Sequence, residues 1–157
     1  MRIGDLLTRA AKWYPEKEAV VFEGTRLTYR QLNDRVNALA HALLDMGVGK
    51  GDRVALICHN SHYYAEVVFA LAKIGAVSTN LNWRLSPREM AFLVDDSDAQ
   101  VVIFSQRFAY LYEPMRALLK RKFRFIGVEG ALGEDRVDYD ALIARYPNHE
   151  PEAEVDE

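Results

Sequence analysis

The feature that most constrains this chain is a regular alternation of short apolar runs with helical patterns. The runs are Val54–Cys58, one opening at Val77, Val101–Phe104 and Phe123–Val128, and their starts lie 22 to 24 residues apart. That interval holds one strand and one helix, and right-handed crossovers then place successive strands side by side in parallel. We therefore expect an α/β fold in which a mostly parallel sheet carries helices on both faces.

Capping signals mark where several of these helices begin. Thr28 and Gln31 form a Thr-x-x-Gln capping box, and Ser86–Glu89 combines a capping serine, a proline at the first helical position and a capping-box glutamate. A third helix is expected to start at Asn60 or Ser61, and a last short one at Asp138. These signals place helices between the predicted strands.

The two ends of the chain differ from the repeating part. Apolar residues between 3 and 10 fit an amphipathic helix, and Ala19–Phe22 reads as a strand that turns at residues 23–25. Residues 150–157 are acidic and almost free of apolar side chains, which predicts a solvated, poorly ordered tail. We expect residues 1–149 to form one α/β unit and residues 150–157 to form this tail.

Composition excludes several classes of function. The 157 residues carry a formal net charge of −3, which gives no general attraction to nucleic acid or to an anionic membrane. No apolar run approaches the roughly 20 residues of a membrane span, and charged residues interrupt the N-terminus, which does not read as a signal peptide. Cys58 is the only cysteine, so an internal disulfide is impossible. We expect a cytoplasmic protein with no nucleic-acid partner.

The glycines at 47, 49 and 51 invite a nucleotide-binding interpretation, but their position opposes it. A phosphate-binding loop follows a strand and opens a helix, so that free amides meet the phosphate. Gly47, Gly49 and Gly51 instead follow a predicted helix and precede a predicted strand. A helix-to-strand turn is the favoured interpretation.

The residues that bind metals or act as nucleophiles are also scattered. His59 and His62 lie three residues apart beside Cys58, at the carboxyl end of a predicted strand, and no fourth ligand accompanies them. A turn and capping role is favoured for His59–Ser61, although open α/β sheets place their sites at this edge. Cys58 has no neighbouring cation and reads as a buried, inert thiol. We predict no metal site and no catalytic residue in this chain.

Four segments, taken together and in order, resemble acyl- and aryl-CoA synthetases of the adenylate-forming, AMP-binding superfamily, which includes luciferases and peptide-synthetase adenylation domains. The resemblance covers about residues 1–130. The segments are Pro15–Val21 with Leu27–Leu32, Gly47–Leu56 running on to Asn60, Ala70–Val77, and Asn80–Glu89.

This resemblance implies the first part of the large N-terminal domain of an ATP-dependent acyl-CoA ligase, of fatty-acid type. Such enzymes form an acyl-adenylate from a carboxylic acid and ATP, with Mg²⁺, and then transfer the acyl group to CoA. The family's phosphate loop and later motifs match nothing in residues 1–157. We therefore expect the chain alone to be inactive, to bind no MgATP and to self-associate through exposed apolar surface.

Two alternatives stay open beside the CoA ligase. The chain could belong to an adenylation domain that loads a carrier protein, or it could be a stand-alone flavodoxin-like binding module. A flavodoxin-like module needs a strand followed directly by a phosphate-binding loop, and the sequence contains no such loop.

One site residue follows from the resemblance. Arg84 matches the arginine of the family's Asn-x-Arg-Leu segment, which in CoA ligases can lie near the nucleotide phosphate of CoA. A forked guanidinium suits phosphate recognition. The competing interpretation is a surface arginine in a structural turn. Trp83 departs from the proline that is common in that segment.

Overall fold

The computed structural model describes residues 2–130 and 136–155. Within these ranges lie seven strands and six α-helices. The strands are β1 (Glu18–Phe22), β2 (Thr25–Thr28), β3 (Arg53–Ile57), β4 (Val77–Asn80), β5 (Ala99–Ser105), β6 (Arg124–Val128) and β7 (Arg136–Asp138). The helices are α1 (Ile3–Trp13), α2 (Tyr29–Asp45), α3 (His62–Ile74), α4 (Pro87–Asp96), α5 (Ala109–Arg116) and α6 (Tyr139–Ile143).

In the described part of the chain, the central sheet has five strands in the order β4-β3-β5-β6-β7, and every neighbouring pair is parallel. The four strands expected from the sequence, β3 to β6, are all present, so the predicted parallel α/β fold is confirmed. The fifth strand, β7, was not foreseen. It has only three residues and no apolar run, and it forms by pairing with the edge of β6.

Helices cover both faces of this sheet, as predicted. Alternate strand residues point to opposite faces. Val54 and Leu56 of β3 pack in one apolar cluster with α1, α2, α3 and α6, whereas Ala55 and Ile57 pack in the other with α4 and α5. The sheet is therefore a buried middle layer, which explains why its strands read as continuous apolar runs.

The predicted caps are confirmed by hydrogen bonds. The Thr28 and Ser86 side chains accept from the backbone amides three residues on, and the N3 glutamine and glutamate complete both capping boxes. Ser61, rather than Asn60, caps α3, and Asp138 caps α6. The strands β1 and β2 form an antiparallel hairpin that feeds directly into α2.

The start of the acidic tail makes tertiary contacts that the sequence did not indicate. Glu150 is exposed, as expected, but its Oε2 also accepts a hydrogen bond from Lys73 Nζ at 2.6 Å and its Oε1 accepts one from Asn33 Nδ2 at 2.8 Å. Its partners lie on α2 and α3, far away in sequence, so local composition carried no sign of them. The division at residue 149 stays a prediction. No helix in the described part of the chain is long and apolar enough to cross a membrane.

Candidate functional site at the carboxyl ends of the strands

The carboxyl ends of β3 and β4 open onto a shared cavity. The two strands are parallel neighbours, so the segments that follow them lie next to each other at one edge of the sheet. Between them is an open cavity of about 320 Å³. Its lining residues are Cys58, His59, Asn60, Tyr64, Asn80, Leu81, Asn82 and Trp83. Open α/β sheets place their ligand sites at this edge.

Arg84 follows this lining in a turn that is fixed at several points. Leu81 donates its backbone N–H to the Leu56 carbonyl at 2.9 Å, which ties the turn to β3. Asn82 accepts from the Arg84 amide through Oδ1 at 3.0 Å and from the Leu85 amide through its carbonyl at 3.1 Å. The helix α4 then begins at its Ser86 cap. The backbone of Arg84 is thus held by both neighbouring elements.

The side chain of Arg84 lies on an aromatic platform. Its Cζ is 4.8 Å from the centre of the Trp83 ring, and the Trp83 ring stacks on Phe108 with centroids 4.9 Å apart and an interplanar angle of 7°. Arg84 is exposed, and it forms no ion pair with any residue in 2–130 or 136–155. This arrangement presents a charged fork to solvent, where an anion can reach it.

Of the other titratable residues beside this cavity, Cys58 and His62 are buried and His59 is half-buried. Burial lowers the pKa of both His59 and His62, whose rings lie 5.5 and 6.3 Å from that of Phe22. Burial raises the pKa of Cys58 to about 11, so its thiol stays protonated at neutral pH, in agreement with the predicted inert thiol. Among the described residues, no group of three or more His, Cys, Asp or Glu is placed to hold a metal ion.

The sequence interpretation missed a second polar group at the carboxyl ends of β5 and β6. Arg107 donates from Nε to Glu129 Oε1 at 3.0 Å and from Nη2 to Glu23 Oε2 at 2.8 Å, while Ser105 Oγ donates to Glu129 Oε2 at 2.8 Å. Ser105 and Glu129 directly follow two predicted parallel strands, and this placement in the sequence could have indicated the group. Arg107 is thus bonded to both Glu129 and Glu23. Because Glu23 lies in the turn between β1 and β2, these bonds hold the hairpin against the carboxyl ends of the strands.

The glycine-rich segment lies away from this edge. Gly47 and Gly51 adopt φ angles of 83° and 82° between the end of α2 and the start of β3. Both angles are in the left-handed region that favours glycine. The predicted helix-to-strand turn is confirmed.

Comparisons with known proteins agree over most of the chain. The profile of the AMP-binding enzyme family matches residues 7–151. A medium/long-chain-fatty-acid–CoA/3-oxocholest-4-en-26-oate–CoA ligase of Mycobacterium marinum is 36% identical over 109 residues, which are 69% of this chain and 20% of that protein. A fatty acid–[acyl-carrier-protein] ligase, ScoC of Streptomyces coeruleorubidus, is 38% identical over 107 residues, 68% of this chain and 21% of that protein.

Solved structures give the same result. The anthranilate CoA ligase AuaEII, in complex with anthranoyl-AMP, superposes with a TM-score of 0.89 at 26% identity over 95% of this chain and 29% of that chain. The N-terminal domain of FACL13 from Mycobacterium tuberculosis superposes with a TM-score of 0.83 at 30% identity over 98% of this chain and 38% of that chain. The chain therefore belongs to the AMP-binding enzyme family, has the fold of the N-terminal domain of acyl-CoA ligases, and spans about a fifth of the length of the two curated relatives above.

Proposed function

We propose that this chain is the N-terminal part of an ATP-dependent acyl-CoA ligase that activates a fatty acid. The full-length enzyme would convert the carboxylic acid, ATP and CoA to acyl-CoA, AMP and pyrophosphate. The observation that carries the proposal is the family match over residues 7–151. The fatty-acid class is supported by the name of the Mycobacterium marinum relative. The same proposal places the enzyme in the cytoplasm.

Within that enzyme, this chain would supply a scaffold and one phosphate contact. Residues 1–157 contain no phosphate loop, so we expect ATP and Mg²⁺ to be held by other parts of the full-length protein. Arg84 is the residue that we assign to the phosphate of CoA, because its guanidinium is exposed and lies at the edge of the sheet where α/β proteins bind ligands. Arginine presents two parallel donors to a phosphate, which strengthens and orients the contact.

The test is to separate the two half-reactions in the full-length enzyme. A charge-assisted hydrogen bond contributes about 1.5–3 kcal/mol to binding, so its loss in Arg84→Ala should raise the Michaelis constant for CoA roughly ten- to a hundredfold. Pyrophosphate exchange, which reports adenylation, should stay close to the wild-type rate. Arg84→Lys should restore only part of the loss because it keeps the charge without the fork.

Arg88→Ala provides the matched control. Arg88 is also exposed and lies four residues further on, in the first turn of α4. It should leave both half-reactions unchanged. Equal losses of both half-reactions in Arg84→Ala would assign Arg84 a structural role in its turn.

A carrier protein is the second candidate for the acyl acceptor. The similarity to ScoC, which is named as an acyl-carrier-protein ligase, favours this candidate specifically. Supplying the full-length enzyme with CoA or with a phosphopantetheinylated carrier protein, after adenylation, would distinguish the two acceptors by the thioester formed. The family match leaves the flavodoxin-like alternative without support.

Two properties of the 157-residue chain by itself belong to the same proposal. We expect it to bind no MgATP, which calorimetry would contradict by showing magnesium-dependent ATP binding in the micromolar range.

We also expect self-association through α1, where Ile3, Leu6 and Trp13 are 47–65% exposed. Sedimentation should show a monomer for Leu6→Glu and association for the unmodified chain.

A further inference from the structure

We infer that Trp83 is a positioning residue whose indole holds the Arg84 guanidinium ready for phosphate. The inference rests on the proposed function, because it adds a cause for the geometry of the residue assigned there to CoA. It concerns how the chain pre-orders a binding group, and Trp83 itself need not touch the ligand.

The indole is anchored from outside its own turn. Trp83 stacks on Phe108, which is 7% exposed and follows the carboxyl end of β5. Trp83 also packs against the apolar cluster beneath α4 and α5. A ring held by a neighbouring strand end and by the core gives a fixed surface in an otherwise exposed turn.

The guanidinium of Arg84 uses that fixed surface. It lies 4.8 Å from the centre of the Trp83 ring, within the range in which an arginine is attracted to an indole face. Arginine has a flexible side chain, and ordering such a side chain opposes binding. An arginine already restrained on the indole loses less freedom when a phosphate binds. The Asn82 contact fixes the Arg84 backbone, and the contact with the indole restrains the Arg84 side chain.

The contact can be observed directly in solution. Protons over an indole face are shifted upfield by the ring current, so the δ-methylene protons of Arg84 should be shifted upfield in NMR spectra of the chain. Trp83→Phe should retain much of this shift, and Trp83→Leu should abolish it. Arg84 protons at ordinary positions in the unmodified chain would overturn the inference.

The functional consequence is tested by a double-mutant cycle in the full-length enzyme. Trp83→Leu should raise the CoA Michaelis constant about two- to fivefold, the effect of losing one cation–π contact. Pyrophosphate exchange should stay unchanged, and Trp83→Phe should restore affinity for CoA. In the Arg84→Ala background, Trp83→Leu should cause no further rise, because the group that it positions is gone.

The possible outcomes separate the inference from the proposal beneath it. If Arg84→Ala weakens CoA use and Trp83→Leu does not, the positioning role fails and the Arg84 contact stands. If Trp83→Leu has the same effect with and without Arg84, Trp83 acts only through the fold and the inference is overturned. If Arg84→Ala leaves CoA use unchanged, the phosphate contact itself fails and the positioning role fails with it.

Discussion

Two polar clusters lie on the same face of the sheet and have opposite charges at their centres. In the Lys73 cluster (Lys73, Thr8, Asn33, Asn37 and Glu150), Lys73 Nζ lies 2.6–2.9 Å from four side-chain oxygens. In the Glu66 cluster (Glu66, Arg35, Tyr139 and Asp140), the Glu66 carboxylate accepts from Arg35 at 2.7 and 3.2 Å and from the Tyr139 hydroxyl at 2.7 Å. Each cluster joins α2 and α3 to a later segment, α6 in one case and Glu150 in the other.

The clusters differ in how far water reaches them. The side chain of Glu66 is 0% exposed, whereas Glu150, the only acid bonded to Lys73 among the described residues, is 45% exposed. Burial raises the pKa of Glu66 against the pull of the Arg35 guanidinium. Burial lowers the pKa of Lys73 against the pull of Glu150. A buried charge is costly unless it stays paired, so the closed Glu66 cluster should tolerate the loss of a member least.

The largest effect is expected from opening the Glu66 cluster. Glu66→Ala leaves the buried Tyr139 hydroxyl and one side of Arg35 without their partner. Removing one member of a buried ion pair costs about 3–5 kcal/mol, and this is the upper limit here because Arg35 is partly exposed and keeps its bond to Asp140. The free energy of unfolding from urea titration measures this loss. Glu152→Ala, which removes an exposed carboxylate, is the control and should change little. A loss no larger for Glu66→Ala than for this control would show that the cluster contributes nothing to stability.

A smaller loss is expected from the Lys73 cluster. Lys73→Met keeps the apolar stem and removes the ammonium donor. The partners of Lys73 are two amides, a hydroxyl and a half-exposed carboxylate. Because water can form hydrogen bonds to some of these groups when the ammonium is removed, we expect the free energy of unfolding to fall by about 2–3 kcal/mol. Lys12→Met, at an exposed position on α1, is the control in the same urea titration. A larger loss for Lys73→Met than for Glu66→Ala would reverse the comparison.

The smallest effect is a pH dependence from Glu150. Burial tends to raise its pKa, but hydrogen bonds from Asn33 and Lys73 prevail and hold the pKa below its ordinary value of 4.5. The unfolded carboxylate therefore takes up a proton first as the pH falls. Its stabilising contribution is present above pH 4.5 and is lost as the pH falls through the folded pKa. Screening at a half-exposed group limits it to less than about 1 kcal/mol.

The variant that isolates this pH effect is Glu150→Gln. Urea titrations near neutral pH and below pH 4.5 should show a smaller acid loss for this variant than for the unmodified chain. Glu66 contributes with the opposite sign. Its raised pKa means that the folded carboxyl holds its proton more tightly than the unfolded one, so its contribution decreases as the pH rises through that raised value. If Glu150→Gln loses as much unfolding free energy on acidification as the unmodified chain, Glu150 is not the source of that loss.

Much of the fold could be read from the sequence because its signals are local. The recurrence of apolar runs predicted β3 to β6 and their parallel arrangement, and the caps at Thr28, Ser86 and Asp138 marked helix starts within a few residues of the chain. The candidate site was predicted only in part. Arg84 was assigned from a resemblance, and its location beyond the end of β4 follows from the strand pattern.

What the sequence determined, then, was the order of strands and helices and the turn that carries Arg84, because periodicity and capping act over a few residues. The tertiary structure alone decided that Trp83 meets Phe108, that Lys73 meets Glu150 across 77 residues, and that three residues join the sheet as β7. These contacts depend on how separate elements pack. Polar partners distant in sequence leave no periodic pattern, and a short edge strand exists only because a neighbouring strand offers it free hydrogen-bonding groups.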